Sequence, residues 1–507
     1  MATAKARWEK LNGSRDAILQ RARDAADLTI PALLPPEGHN ENSTLPQPYQ
    51  SLGARGVNNL ASKLAMALLP TGNPFFRMMI PDDVLAEIAD DTEIQEELRK
   101  IENRAMRLVE RGNLRVALHA TLRNLITTGN ALLHMPATGG ARMFRLTNFC
   151  VLRDAMGYWR EIVIKESVHP ATLDQALIGK MDIEVDLTSD DNLEVYTYIR
   201  KESDKAVWDQ QIEDKVVPGS DGRTSYDECP YIPLRWGAIE NEDYGRGHVE
   251  EYMGDLRSLE GLSKSIVQFA AAAAKIIFLE KPNSTTDLEA LNRAESGEFV
   301  EGNRDDIETL QVEKFPDFQV AKSTADDLTL RLSHAFLLTT GTVRNAERVT
   351  AEEIRMQAQE LEDVLGGVYT VLSQELQLPI VKRLMAQMRK AQQMPTLPDA
   401  ALEPVVITGF DALGRGHELN KYREYFADGK ELFGEGFMAQ FDHTKVAQLM
   451  ATHHNIDIED IQKSPQQMER EEDDAVVGSV VDKAAGPVAG QLAGALASSM
   501  TEEIPNG

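Results

Sequence analysis

The sequence has 507 residues with 81 acidic against 53 basic side chains, a net charge of −28, which excludes a protein that grips nucleic acid over its whole surface. It is long enough for two or more cored regions, and its two cysteines, Cys150 and Cys229, make neither a disulfide framework nor a zinc ribbon and are expected as inert buried thiols. The N-terminus mixes both charges without an apolar stretch, and the longest uncharged run, 484–501, is mostly Ala, Gly and Ser, so neither a signal peptide nor a membrane span is expected.

Charge is uneven along the chain. Residues 1–80 hold nine basic against six acidic side chains, and residues 111–165 eight against two, so any DNA contact is local. Residues 4–27 have helical spacing (Trp8, Leu11, Ile18, Leu19), and a Pro-rich stretch, Pro31 to Pro48, interrupts. Val57, Leu60, Leu64 and Leu68 form one stripe of a helix over 51–69 that Pro70 ends. Thr92 is expected to cap a helix to Gly112, and another runs from Leu114 to a turn at Thr127–Gly129.

From Arg142 the texture changes to short β-branched and aromatic runs, "MFRLTNFCVL", "YWREIVIKE", "LEVYTYIRK" and "AVWDQQIE", separated by "DAMG" and "PGSDG" turns, which predicts an antiparallel sheet region. Helix returns over 248–279, about 48 Å at 1.5 Å per residue. Ala270 to Ala274 make its lower half narrow on every side. Residues 283–321 mix turns with β-like pieces, "FVEG" and "FQVA", and read as a small separate lobe. A helix over 324–339, the loop "TGTVRNAER", a Thr350–Glu353 capping box and a long helix to about Gln393 follow, with Gly366, Gly367 and Pro379 as expected bends. The strand "PVVIT", helices to about 463, the acidic run "EREEDD" and an Ala/Gly-rich tail with Gly486, Gly490 and Gly494 four residues apart complete the chain.

Catalytic signatures are missing: there is no P-loop, no H-E-x-x-H and no G-x-S-x-G, so the chain is read as no enzyme and needing no cofactor. "YGRG" at 244–247 lacks the strand and spacing of a dinucleotide fingerprint and reads as a turn. His443, His453, His454 and Asp457 are the best metal-ligand types but match no ligand spacing, so surface histidines at a helix end are the preferred reading and no metal is assigned. The Asp82-Asp83, Asp90-Asp91 and Asp305-Asp306 pairs suit helix starts.

Six segments taken together resemble the podoviral head-to-tail connector family of short-tailed bacteriophages: "YQSLGARGVNNLASKLAMALLPTGNPFF", "YGRGHVEEYMGDLRSLE", "AAAAAKIIFLEKPNSTT", "FVEGNRDDIETLQVEKFPDFQVA", "AERVTAEEIRMQAQELEDVLGGVYTVLSQELQLPIVKRL" and "TGFDALGRGHEL". The resemblance spans most of 1–430 and implies an α+β, predominantly helical, portal-type fold forming a dodecameric ring. It divides the chain into wing (1–245), first stem helix (246–280), clip (281–321), second stem helix (322–340), channel loop (341–350), long bent wing helix (351–394), crown (395–470) and tail (471–507). It places Gly341, Thr342, Arg344, Asn345 and Arg348 in a loop facing double-stranded DNA, and Ala270, Ala271, Ala272, Ala273 and Ala274 in packing between stem helices. The partners it implies are terminase, a tail adaptor, and the major capsid and scaffolding proteins, with no membrane, at one capsid vertex of a virion assembled in the host cytoplasm. A scaffold or internal core protein and a metal-dependent hydrolase are the rival readings.

Overall fold

The computed structural model describes residues 3–70, 74–79, 91–173, 181, 191–273, 277–282, 286–310, 315–338, 365, 367–394, 405–408, 415–441 and 446. Residues Met1–Gly414 and Arg415–Gly507 are two separate compact units. The first opens with helices α1 (Ala4–Asn12), α2 (Asp16–Asp27) and α3 (Leu52–Leu68). Strand β1 (Phe76–Met79) and helices α4 (Asp91–Arg111) and α5 (Leu114–Thr128) follow. Thr92 therefore lies inside α4 and does not cap it.

Nine strands come next: β2 (Asn130–His134), β3 (Arg142–Phe144), β4 (Phe149–Arg153), β5 (Trp159–Val168), β6 (Leu193–Glu202), β7 (Lys205–Ile212), β8 (Lys215–Val216), β9 (Gly222–Ser225) and β10 (Tyr231–Arg235). The expected sheet is there: β4, β5, β6, β7 and β8 are neighbours in that order, antiparallel, with β9 also on β7. A smaller antiparallel sheet, β10-β2-β3, was not foreseen.

Helices α6 (His248–Glu251) and α7 (Met253–Ala273) lead to strand β11 (Ile277–Glu280), helix α8 (Leu288–Arg293), strand β12 (Ile307–Leu310) and helix α9 (Phe315–Ala335). The helix expected over 248–279 is thus broken at Tyr252, and its last four residues are strand: Ile277 and Phe278 favour extended backbone and pair with β12. "FQVA" is helical, not β-like, because Pro316 and Asp317 sit in the first turn of α9, where a missing N–H and a carboxylate both suit a helix start.

Helix α10 (Val368–Leu372), a π turn (Ser373–Gln377), helix α11 (Leu378–Lys390) and strand β13 (Val405–Thr408) complete this unit, and β13 pairs antiparallel with β1. Both expected bends in the described part are found. Gly367 is left-handed at φ 93, and the π turn precedes Pro379, which has no N–H to return to the carbonyl four residues back. In the second unit, α12 (Arg415–Phe433) is followed by a short turn that folds the Phe437 ring against Gly429 and Tyr425.

The break between α1 and α2, where one helix over 4–27 is expected, has a tertiary cause. Successive residues of β5 point to opposite faces of the sheet. Val163 packs with Trp8, Cys150 and Tyr196 on one face, whereas Ile162 and Ile164 belong to the core that holds Leu19, Ala22 and Ala26. The chain changes sheet face at Gly13–Arg15. There the buried Arg15 guanidinium donates to the carbonyl oxygens of Leu146 (2.8 Å) and Phe149 (2.6 Å) and lies against the Trp8 and Tyr244 rings. Burial pushes the Cys150 thiol up to about 11 and Cys229 up to about 12, so both are inert as expected.

A third core joins α3, α4 and α5 to α10 and α11 around Leu60, Leu64, Ile101, Leu122, Tyr369 and Leu384. Into it are set Leu256 and Leu259 of α7 and Leu328, Leu332 and Ala335 of α9. Beyond Leu259 no described side chain of α7 is buried, and before Ala325 none of α9 is. These two helices leave the core together as an arm.

Candidate functional site

The arm is built from its root outward. At the root, "YGRG" meets the end of α5. Gly129 caps that helix in the left-handed conformation at φ +78, and a Cβ on it would lie 2.6 Å from the Gly245 oxygen and the Gly247 nitrogen. The Asn130 side chain completes the clasp, accepting from the Gly245 N–H at 2.8 Å and donating to its oxygen at 2.9 Å. The glycines of "YGRG" serve backbone-to-backbone packing. The recurrence of Gly at 245 and 247 was the only sequence signal for this contact.

From that clasp α6 starts with His248, buried beside Trp236, Tyr252 and Phe336. Gly56 of α3 leaves room for Phe336: a Cβ there would sit 2.6 Å from the Phe336 ring. Asn59 donates to the carbonyl oxygens of both Phe336 and Leu337 at 3.0 Å. Leu337 itself is left-handed at φ 53, and the Leu338 N–H returns to the Ser333 oxygen at 2.8 Å, closing α9 in a Schellman turn. The chain therefore leaves α9 from a fixed point. Arg15, Asn59, His248 and Leu337 all escaped the sequence reading, because a buried Arg or His and a left-handed Leu have no periodic signature.

Along the arm α7 and α9 run antiparallel. Asp255 pairs with Arg331 at 3.8 Å near the root, and Phe269 stacks on Phe318 at 5.1 Å near the far end. The rest is open: Val267, Val320 and Leu330 are 52%, 67% and 55% exposed. Ala270, Ala271 and Ala272 are exposed and Ala273 half-buried in the last turn of α7. Ala274 lies outside the described residues. So do Gly341, Thr342, Arg344, Asn345 and Arg348, the Thr350–Glu353 capping box, and His443, His453, His454 and Asp457; among the described residues no group of three His, Cys, Asp or Glu could hold a metal ion. At the far end, the lobe is clasped by Thr286, whose hydroxyl donates to Asp306 at 3.1 Å and accepts from the Asn303 N–H at 2.9 Å.

No helix of the described residues is long and apolar enough to cross a membrane. The model of the bacteriophage head to tail connecting protein family matches residues 1–459. The chain belongs to that family. It is 41% identical to the portal protein of Enterobacteria phage T3 over 82% of this chain and 80% of that one. It is 40% identical to the portal protein of Escherichia phage T7, and 32% identical to that of Pseudomonas phage phiKMV, each over 82% of this chain. A chain from the neck of an empty GTA particle superposes with a TM-score of 0.38 at 13% identity, covering 79% of this chain and 90% of that one.

The protein is thus a head-to-tail connector of a bacteriophage, and the expected α+β, mainly helical, portal-type fold stands. Its place is the neck of the virion. For a connector the arm is the part to explain, since two helices with so few buried side chains do not form a self-sufficient element.

Proposed function

We propose that twelve copies of this connector close into a ring whose axial channel admits double-stranded DNA during packaging and releases it at ejection. Terminase and then a tail adaptor dock on this ring, and the major capsid and scaffolding proteins surround it. The observation that carries the reading is the arm. Its exposed Val267, Val320 and Leu330 and its narrow Ala270–Ala273 end leave apolar faces that neighbouring copies would bury. In this reading 1–245 is wing, α7 and α9 are the paired stem helices, the lobe between them is the clip, 341–350 faces the channel, 351–394 returns through the wing and 395–470 forms the crown. The net charge of −28 supports sliding, because acidic walls repel phosphates whereas a basic wall would release counterions and bind.

Negative-stain microscopy with native mass spectrometry tests assembly: rings with an axial hole are expected, and monomer alone at micromolar concentration overturns the proposal. The channel loop has its own test. Arg344→Ala combined with Arg348→Ala is expected to leave rings intact and to lower retention of full-length genomes, since each arginine touches passing phosphates singly. Wild-type packaging and retention in that variant removes the loop's role.

A further inference from the structure

The far end of the arm presents an aromatic ring in an acidic setting. Residues 277–310 carry nine acidic against three basic side chains. Phe299 is fully exposed, and Glu295, Glu298 and Glu301 around it are exposed as well. Single exposed apolar residues are ordinary on a protein surface; the bracing of this one is not. The Glu298 N–H donates to the Glu295 oxygen at 3.1 Å across Gly297, which is left-handed at φ +102, and the Glu298 carboxylate accepts from the Glu295 N–H at 2.9 Å. On the other side Asn303 is held by Thr286, and Gly302 lies so close that a Cβ would stand 2.6 Å from the threonine methyl. The Phe299 ring is thus displayed from a turn fixed on both flanks, and little conformational freedom remains to be lost on binding.

We propose that Phe299 is the anchor of a docking surface for a second protein, one that offers an apolar pocket rimmed by lysine and arginine. This rests on the ring reading, in which the lobe projects away from the connector's core. A protruding aromatic side chain is the type that dominates binding energy at an interface centre. The surrounding glutamates select a basic rim and speed the encounter. A second copy of this chain is the poorer occupant, because two lobes that each carry the same acidic excess repel.

The experiment incorporates photoreactive benzoylphenylalanine at position 299 of the full chain, assembles virions, irradiates them and maps the crosslinked peptides by mass spectrometry. The expected crosslink joins position 299 to a different protein, at a segment with apolar residues flanked by Lys or Arg. Crosslinks to a second copy, crosslinks to an acidic surface, or none from intact virions overturn the proposal. Binding of the purified, identified partner to connector rings is the second measurement. Phe299→Ser is expected to weaken it at least tenfold at every salt concentration, and Glu295→Gln/Glu298→Gln/Glu301→Gln to slow association and flatten its salt dependence. Equal binding by both variants overturns the anchor. Micrographs of the same preparations score ring formation separately, so absent rings count against the ring reading, and intact rings without this contact count against Phe299.

Discussion

The Nε2 of His248 lies 3.0 Å from the carbonyl oxygen of Ala335, joining the residue that starts α6 to the one that ends α9. A carbonyl only accepts, so Nε2 carries the proton. Burial holds the ring neutral, outweighing the nearby Glu251 carboxylate, by pushing its pKa below the ordinary histidine range. His248→Leu leaves the Ala335 oxygen without its donor and is expected to cost about 1–3 kcal/mol in urea unfolding. An unchanged midpoint would show the tie to be unimportant.

His134 gives the connector a pH dependence. It stacks flat on Tyr231, 4.3 Å between ring centres, and burial, reinforced by Arg383 and Arg142, pushes its pKa from 6.5 down to about 4. The unfolded chain binds the proton more tightly, so this group's contribution is complete above pH 6.5 and is lost as pH falls from 6.5 to about 4. At about 1.4 kcal/mol per pH unit, the swing is on the order of 2 kcal/mol after allowance for the ring's partial exposure. Wild type should lose that much relative to His134→Phe between pH 7 and pH 4. Parallel stability curves for the two proteins would contradict it.

Gly129→Ala tests the clasp at the arm's root. The left-handed backbone costs an alanine about 1–2 kcal/mol, and the added methyl meets backbone, which cannot rotate away, for about 1–3 kcal/mol more. A loss above about 2 kcal/mol is expected by chemical denaturation. A loss below 0.5 kcal/mol would mean that the "YGRG" backbone moves freely.

Arg15→Leu removes the donor to the Leu146 and Phe149 carbonyls and is expected to cost about 2–4 kcal/mol. Arg15→Lys should recover only part of this, because one ammonium cannot copy the planar fork that reaches both carbonyls and the Asn12 side chain. Full recovery by lysine would show that charge alone matters at the sheet edge.

Ala272→Leu separates chain folding from assembly. Ala272 is exposed in the single chain, so the subunit should melt as wild type does. If neighbouring stem helices pack there, each added side chain costs about 1–3 kcal/mol at every interface and ring yield falls sharply. Normal rings would remove the tight-waist reading.

Local chemistry made much of this architecture readable. The Val57–Leu68 stripe, the glycine that ends α5, the bends at Gly367 and Pro379, and the alternating strands between Phe149 and Ile212 each follow from side-chain periodicity or backbone stereochemistry within a few residues. The segments quoted from 49 to 419 likewise carried the family.

Other features were decided only by the folded chain. Residues 4–27 have helical spacing throughout, yet the sheet has two apolar faces to cover, and the helix breaks where the chain passes from one to the other. Ile277 to Glu280 became strand because β12 lies beside them, a partner 30 residues away in sequence. The burial of Arg15 and His248 depends on carbonyls contributed by distant elements, at Phe149 and Ala335. Phe299 differs from any other phenylalanine in the sequence only in being held outward by the turn at Gly297 and the clasp at Thr286. Periodicity reports which face a side chain takes on its own element; whether another element covers that face is settled by contacts between residues far apart in the chain.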